Sequence, residues 1–216
     1  MLATVFSHSL LEIAPIIIAF ITGIAGPLLI TYFKHHLSHK NKEILQRKKD
    51  FISSLETQDL INNNLNKLQT EYNLDRIWIA QFHNGGNFYP GMKSMKKLSV
   101  TFESTAPGVA ADIMKMQNLP VSFFSSILQK LNNGGDGIIV DIDTEEDYAL
   151  KSFWETKGVN TVYVFPIRCL ESGFIAILAI DFIKKDGFIT KEVFDKLKIE
   201  AHLLSGYVAA ISIDKT

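Results

Sequence analysis

The stretch with the most chemistry to offer is His83-Asn84-Gly85-Gly86-Asn87, followed by Phe88, Tyr89 and Pro90-Gly91. A histidine at the end of a strand can hydrogen-bond a ligand or change charge near neutral pH. It can equally close its own loop by bonding backbone carbonyls. Asn84 can touch a ligand, or hold a turn in the left-handed region. Gly85 and Gly86 open the backbone, and their N–H groups could cradle an anion. No P-loop Lys-Ser/Thr and no dinucleotide fingerprint follows them, which weakens a phosphate reading. Phe88 and Tyr89 suit a pocket edge or the core. The candidate ligand-binding residues are therefore His83, Asn84, Gly85, Gly86, Phe88 and Tyr89, none of them catalytic.

Other chemistry finds little support in the residues. Cys169 is the only cysteine, so an intramolecular disulfide and a cysteine zinc site are both excluded. Nothing in the sequence brings Cys169 to His83 as a dyad, and no G-x-S-x-G elbow occurs. The acidic run Asp141, Asp143, Glu145, Glu146, Asp147 lacks EF-hand spacing and its glycine, and reads as a solvated helix start. His35 and His39 have the i,i+4 spacing of metal ligands, but a polar collar explains them better. The expectation is no enzyme, no cofactor and no metal. A net charge of −1 without a basic, aromatic-laced face argues against nucleic acid.

The elements that position the His83 loop can be read in order. Arg76–Phe82 is a short apolar strand that delivers the loop at its end. Lys96–Ser104 alternates like a half-buried strand, and Val109–Met116 reads as a short helix. Ser122–Leu131 is a helix with Phe123, Phe124, Ile127, Leu128 and Leu131 on one face. Gly137–Ile142 is a strand, and Thr144–Lys157 a helix with Thr144 as N-cap and Gly158 as C-cap. Asn160–Ile167 and Phe174–Ile183 form a hairpin across Glu171-Ser172-Gly173. A helix capped by Thr190, with Glu192 in its first turn, runs to about Ile211. The fold class expected is α+β, with a central antiparallel sheet flanked by helices.

Ahead of this domain, no charged residue falls between Glu12 and Lys34. That run is roughly the 20 apolar residues a helix needs to cross a bilayer, with Pro15 in its first turn and Pro27 as a kink. No Lys or Arg precedes it, whereas Lys34, Lys40, Lys42, Arg47, Lys48 and Lys49 follow. The positive-inside rule then puts the following domain in the cytoplasm. From Lys34 to about Tyr72 no Pro or Gly appears, and Ile44, Phe51, Gln58, Leu65 and Tyr72 recur at heptad spacing. The organisation expected is a tail at 1–12, a transmembrane helix at 13–33, a basic juxtamembrane and helical stalk at 34–73, and the domain at 74–216. The expected partners are the lipid bilayer, a second copy through the stalk (homo-oligomer), and an unknown small ligand or protein.

The element order and several residues resemble the GAF domain family, relatives of PAS domains. The resemblance rests on the first strand and its loop (Ile77–Asn84), V-x-V-F-P-I at Val162–Ile167, G-F-I-A-I-L-A-I-D-F at Gly173–Phe182, and the terminal helix. It covers about Leu45 to Ile211 and implies a sensory, regulatory or scaffolding module. The F-H-N-G-G run also looks like GAF-like proteins encoded by phages. The chromophore cysteine of bilin-binding relatives has no counterpart, and the N-K-F-D-E signature of cyclic-nucleotide-binding relatives is absent. In layout the chain is also similar to T-even phage holins, which implies an alternative: a lysis protein with a periplasmic domain. Its basic residues stand on the opposite side of the anchor from theirs.

Overall fold

The computed structural model describes residues 26–84, 96–169, 173–183 and 187–212, together with Pro15 and Gly23. Contacts divide the chain into two units, Met1–Ser53 and Ser54–Thr216. From Gly26 on, the first unit belongs to helix α1, Gly26–Glu71, which continues into the second. Its turns carry the pairs Arg47–Glu43 at 2.7 Å and Gln46–Asp50 at 2.9 Å, both i,i+4 contacts that support a helix from outside. Leu37, Ile44 and Phe51 are exposed there. Among the described residues no helix is long and apolar enough to cross a membrane. The span expected at 13–33 falls mostly outside them.

The second unit is built on one antiparallel sheet. Its strands are β1 (Arg76–His83), β2 (Lys97–Thr105), β3 (Leu119–Pro120), β4 (Ile138–Asp141), β5 (Thr161–Cys169) and β6 (Gly173–Phe182), in the order β3-β2-β1-β6-β5-β4. β1 is buried along its whole length because both of its faces are covered. Side chains alternate across the sheet. Ile77 and Ile79 therefore join Ile61, Leu65 and Leu68 of α1, while Trp78, Ala80 and Phe82 point to the other layer.

The first layer is closed by α1 and by α4 (Lys191–Ser212), whose Leu197, Ala201, Leu204 and Val208 face inward. The second is closed by α2 (Ser125–Asn132) and α3 (Tyr148–Glu155), through Ile127, Leu128, Leu131, Leu150 and Trp154. The expected β5–β6 hairpin is present, with Phe165 opposite Leu178. So is the Thr190 cap, whose Oγ accepts the Val193 N–H.

Three expectations need correction. Val109–Met116 is not a helix. The Glu103 carboxylate accepts the N–H groups of Asp112 and Ile113, and Met116 O accepts the Val100 N–H. Partners on β2 thus take groups that a helix would use, and turns result. Thr144 does not cap α3. A short 3-10 turn occupies Ile142–Thr144, and Asp147 caps instead, accepting the N–H groups of Ala149 and Leu150. The lower end of the α1 heptad stripe is also spent within the domain, since Leu65 and Tyr72 pack into the first layer.

Candidate functional site

His83 ends β1 and is buried, with Nε2 2.8 Å from Ser99 Oγ on β2. The same hydroxyl accepts the N–H of Asn118, which takes a positive φ of 57° just ahead of β3. An asparagine tolerates that conformation better than most residues. The His83–Ser99–Asn118 chain therefore joins three strands through one hydroxyl. Strand alternation turns His83 to the face opposite Phe82. Asn84 closes the following loop, its Oδ1 accepting the Lys96 N–H at 2.8 Å across the loop mouth. Gly85, Gly86, Phe88 and Tyr89 lie outside the described residues.

A cavity of about 390 Å³ opens on the Phe82 side. Phe82 and Phe174, from β1 and β6, meet edge-to-face at 5.2 Å and form an aromatic wall. Ser122, Ser125, Gln129 and Asn132 line it with hydroxyls and amides, and Val121 and Leu128 complete it. None of these lining residues is charged. The sequence shows the apolar face of α2 and assigns no role to its polar positions. Their spacing of three, four and three was the available signal. Cys169 packs against the other layer and contributes no thiol here.

At the opposite end of β1 lies a buried ionic cluster that the sequence does not announce. Arg76 Nη1 reaches Asp112 at 3.0 Å and Asp181 at 3.2 Å, and its Nε is 3.7 Å from Glu103. Lys157 reaches Asp112 at 2.9 Å, and the Trp78 indole N–H donates to Asp181 at 3.0 Å. Burial pushes the Asp181 carboxyl up to about 7, against the downward pull of Arg76 and Trp78. Burial also acts upward on Asp112, but Lys157, Arg76 and Lys115 hold it below its ordinary value. The one signal in the sequence was a carboxylate inside the otherwise apolar Gly173–Phe182 strand. Asp181 sits directly opposite Arg76 in the β1–β6 register. The cluster pins the irregular segment after β2 to the sheet and offers no open face for a substrate.

No protein-family model matches the sequence, and no curated protein matches it. Solved structures do. The phycocyanobilin-bound GAF domain of a cyanobacterial phytochrome aligns at a TM-score of 0.59 and 18% identity, over 79% of this chain and 94% of that one. The fold is that of a GAF domain. The blue-light-absorbing PixJ GAF domain of Thermosynechococcus elongatus aligns at 0.55 and 15% identity, over 74% and 88%. A GAF domain region from Geobacter sulfurreducens aligns at 0.54 and 16%, over 74% and 97%. At these identities the likeness concerns the GAF fold, and the chemistry must come from the residues above.

Proposed function

We propose that this chain is a membrane-anchored GAF module that senses a small, neutral, flat molecule in the Phe82–Phe174 cavity. The observation that carries the reading is the lining. An aromatic pair faces a row of hydroxyls and amides, and none of the described residues lining the cavity is charged, the nearby Arg168 guanidinium being held by the Leu131 and Gly135 carbonyls. A neutral ring with donors and acceptors on its edge satisfies both walls, and the volume lies in the range of small-ligand pockets. GAF neighbours that hold bilins support a ligand in this fold. The only cysteine, Cys169, packs against the other layer, so binding in this cavity would be non-covalent and reversible. His83 and Asn84 serve this site indirectly, by fixing the strand end and the loop mouth beside Phe82. The uncharged run between Glu12 and Lys34 supports the anchor, and the basic residues after it support a cytoplasmic domain. The module would act through partner contact, with self-association along its helices.

The test is ligand-observed NMR on the full chain in micelles, with benzimidazole and lumichrome as neutral ring probes. Ser125 is exposed at the cavity edge, so Ser125→Trp fills the space without touching the core. Saturation transfer to either ring, lost in Ser125→Trp, is the expected result. Absence of transfer, or transfer that survives the variant, removes this cavity as the site.

A further inference from the structure

The two edges of the sheet differ in what they offer another chain. β3, at one edge, is two residues long and carries Pro120, which has no N–H to give. β4, at the other, has β5 on one side and no strand on the other. The register tells which of its backbone groups stand open. Ile138 lies opposite Val164 and Val140 opposite Val162, and two residues on the Ile142 N–H donates to Asn160 O. Ile138, Val140 and Ile142 therefore turn their backbone groups to β5, while Ile139 and Asp141 turn theirs outward. Among the described residues nothing bonds the Ile139 N–H and carbonyl or the Asp141 N–H. The opening ends at Asp141. Its carbonyl accepts the Thr144 hydroxyl at 3.3 Å, and its carboxylate accepts the Asp143 N–H at 3.1 Å.

We infer that the β4 edge binds an extended, basic segment of a partner protein, which joins the sheet as an additional antiparallel strand. An open edge is a template for another chain, where main-chain bonds give affinity and alternate side chains give selectivity. Ile138 and Val140 pack into the second layer, so Ile139 and Asp141 stand on the opposite face. On that face Phe194 of α4 covers Tyr163 and Phe165 of β5. Ile139, opposite Tyr163, lies beyond this cover and is 59% exposed. A partner residue opposite Ile139 exchanges both backbone bonds with it and sets its side chain beside the isoleucine. That residue is therefore apolar.

Charge selects the occupant. Asp136, Asp141, Asp143, Glu145, Glu146 and Asp147 follow one another along and after the strand, with no cation among them. Glu145 and Asp147 are spent on backbone N–H groups at the start of α3, and Lys198 reaches Asp136 at 3.4 Å. Asp143 and Glu146 are exposed, and among the described residues neither has an ion pair. Two β4 edges brought together would set like charges against each other, so a second copy is repelled here. Nucleic acid and an anionic lipid surface are repelled for the same reason. In an antiparallel strand, the residues ahead of the one opposite Ile139 run beside Asp141 and towards Asp143. The segment that fits carries lysine or arginine at alternate positions, then valine or isoleucine at alternate positions.

The inference goes beyond the ring-ligand reading and does not depend on it, since no residue of β4 lines that cavity. The test is fluorescence anisotropy with the full chain in micelles of an uncharged detergent. The probe is a fluorescein-labelled peptide, Lys-Thr-Lys-Thr-Val-Thr-Val-Thr. Binding in the micromolar range is expected, and binding at least about 30-fold weaker when glutamate replaces both lysines. Methyl groups on the valine nitrogens, which face β4, are expected to abolish binding. On the threonine nitrogens, which face away, they are expected to leave it. Ile139→Pro removes an outward N–H without touching the β4–β5 ladder and is expected to weaken binding at least about 10-fold. Asp143→Lys combined with Glu146→Lys is expected to weaken it about 10-fold and to flatten its salt dependence. Circular dichroism and the urea midpoint check that each variant folds. Should Ile139→Pro fail to fold, the methylated peptides put the same question to the wild-type chain. No binding of the lysine peptide, equal binding of the glutamate peptide, or equal loss from both methylations overturns the inference. So does either folded variant that binds the peptide as tightly as wild type.

Discussion

Replacing Asp181 by asparagine tests the charge arithmetic of the buried cluster. Two cations, Arg76 and Lys157, are at most a tenth exposed, and so are three carboxylates, Glu103, Asp112 and Asp181. Lys115 also reaches Asp112 at 3.3 Å, but its side chain is mostly in solvent and its charge is screened. The buried charges balance when one carboxylate holds a proton. Asp181, fully buried and pushed up to about 7, is that carboxylate. An aspartate in the unfolded chain titrates near ~3.9. Between those two values the folded state holds the additional proton, so rising pH erodes stability. The slope reaches about 1.4 kcal/mol per pH unit and flattens above the folded value. Asp112 is shifted the other way and acts only at more acid pH, where its support is lost as pH falls. The substituted amide is neutral throughout and keeps an acceptor for the Trp78 indole, so Asp181→Asn should lose the slope. Urea unfolding from about pH 5 to about pH 8 measures it. The two tryptophans, Trp78 and Trp154, are both buried and report the transition by fluorescence. The difference between wild type and Asp181→Asn cancels the titrations that are not coupled to Asp181. A difference that stays constant across that range would refute the surplus-proton argument.

Two further outcomes are expected. A Cβ at Gly137 would stand 2.8 Å from both Phe165 Cδ1 and Phe194 Cζ, and Phe165 is fully buried. Gly137→Ala should therefore destabilise by about 1–3 kcal/mol, the usual cost of overpacking, and an unchanged urea midpoint would show that the rings yield freely. A C-terminal reporter active on one side of the membrane should signal from the cytoplasm. A periplasmic signal would mean that the basic flank does not orient this chain, and would make the holin-like layout the better account.

What could be read from the sequence followed from local rules. β1, the β5–β6 hairpin and the Thr190-capped α4 announce themselves by period, turn chemistry and cap, all within a few residues. The segment after β2 does not, because its backbone N–H groups are taken by Glu103, a residue outside the window with helical character. The ionic cluster is further still from local reading. Arg76 meets Asp112 and Asp181 across 36 and 105 residues of chain. His83 and Asn84 are legible as a strand end and a turn, because both are local features. Their roles, bonding Ser99 and closing the loop at Lys96, depend on the strand beside them. The cavity is hidden for a different reason. A polar helix face looks the same whether it meets water or a ligand, until Phe82 and Phe174 are seen opposite.

The sheet gives the proposed cavity a short physical route to the helices on its other face. Phe82 and Phe174 form its aromatic wall from β1 and β6, and the same two strands bury Ile77, Ile79, Leu178 and Ile180 against α1 and α4. That layer is close-packed, so a strand cannot move without its neighbours giving way. A ring that seats against the phenylalanines and shifts β1 or β6 must therefore also shift the packing of α1 and α4 against the sheet.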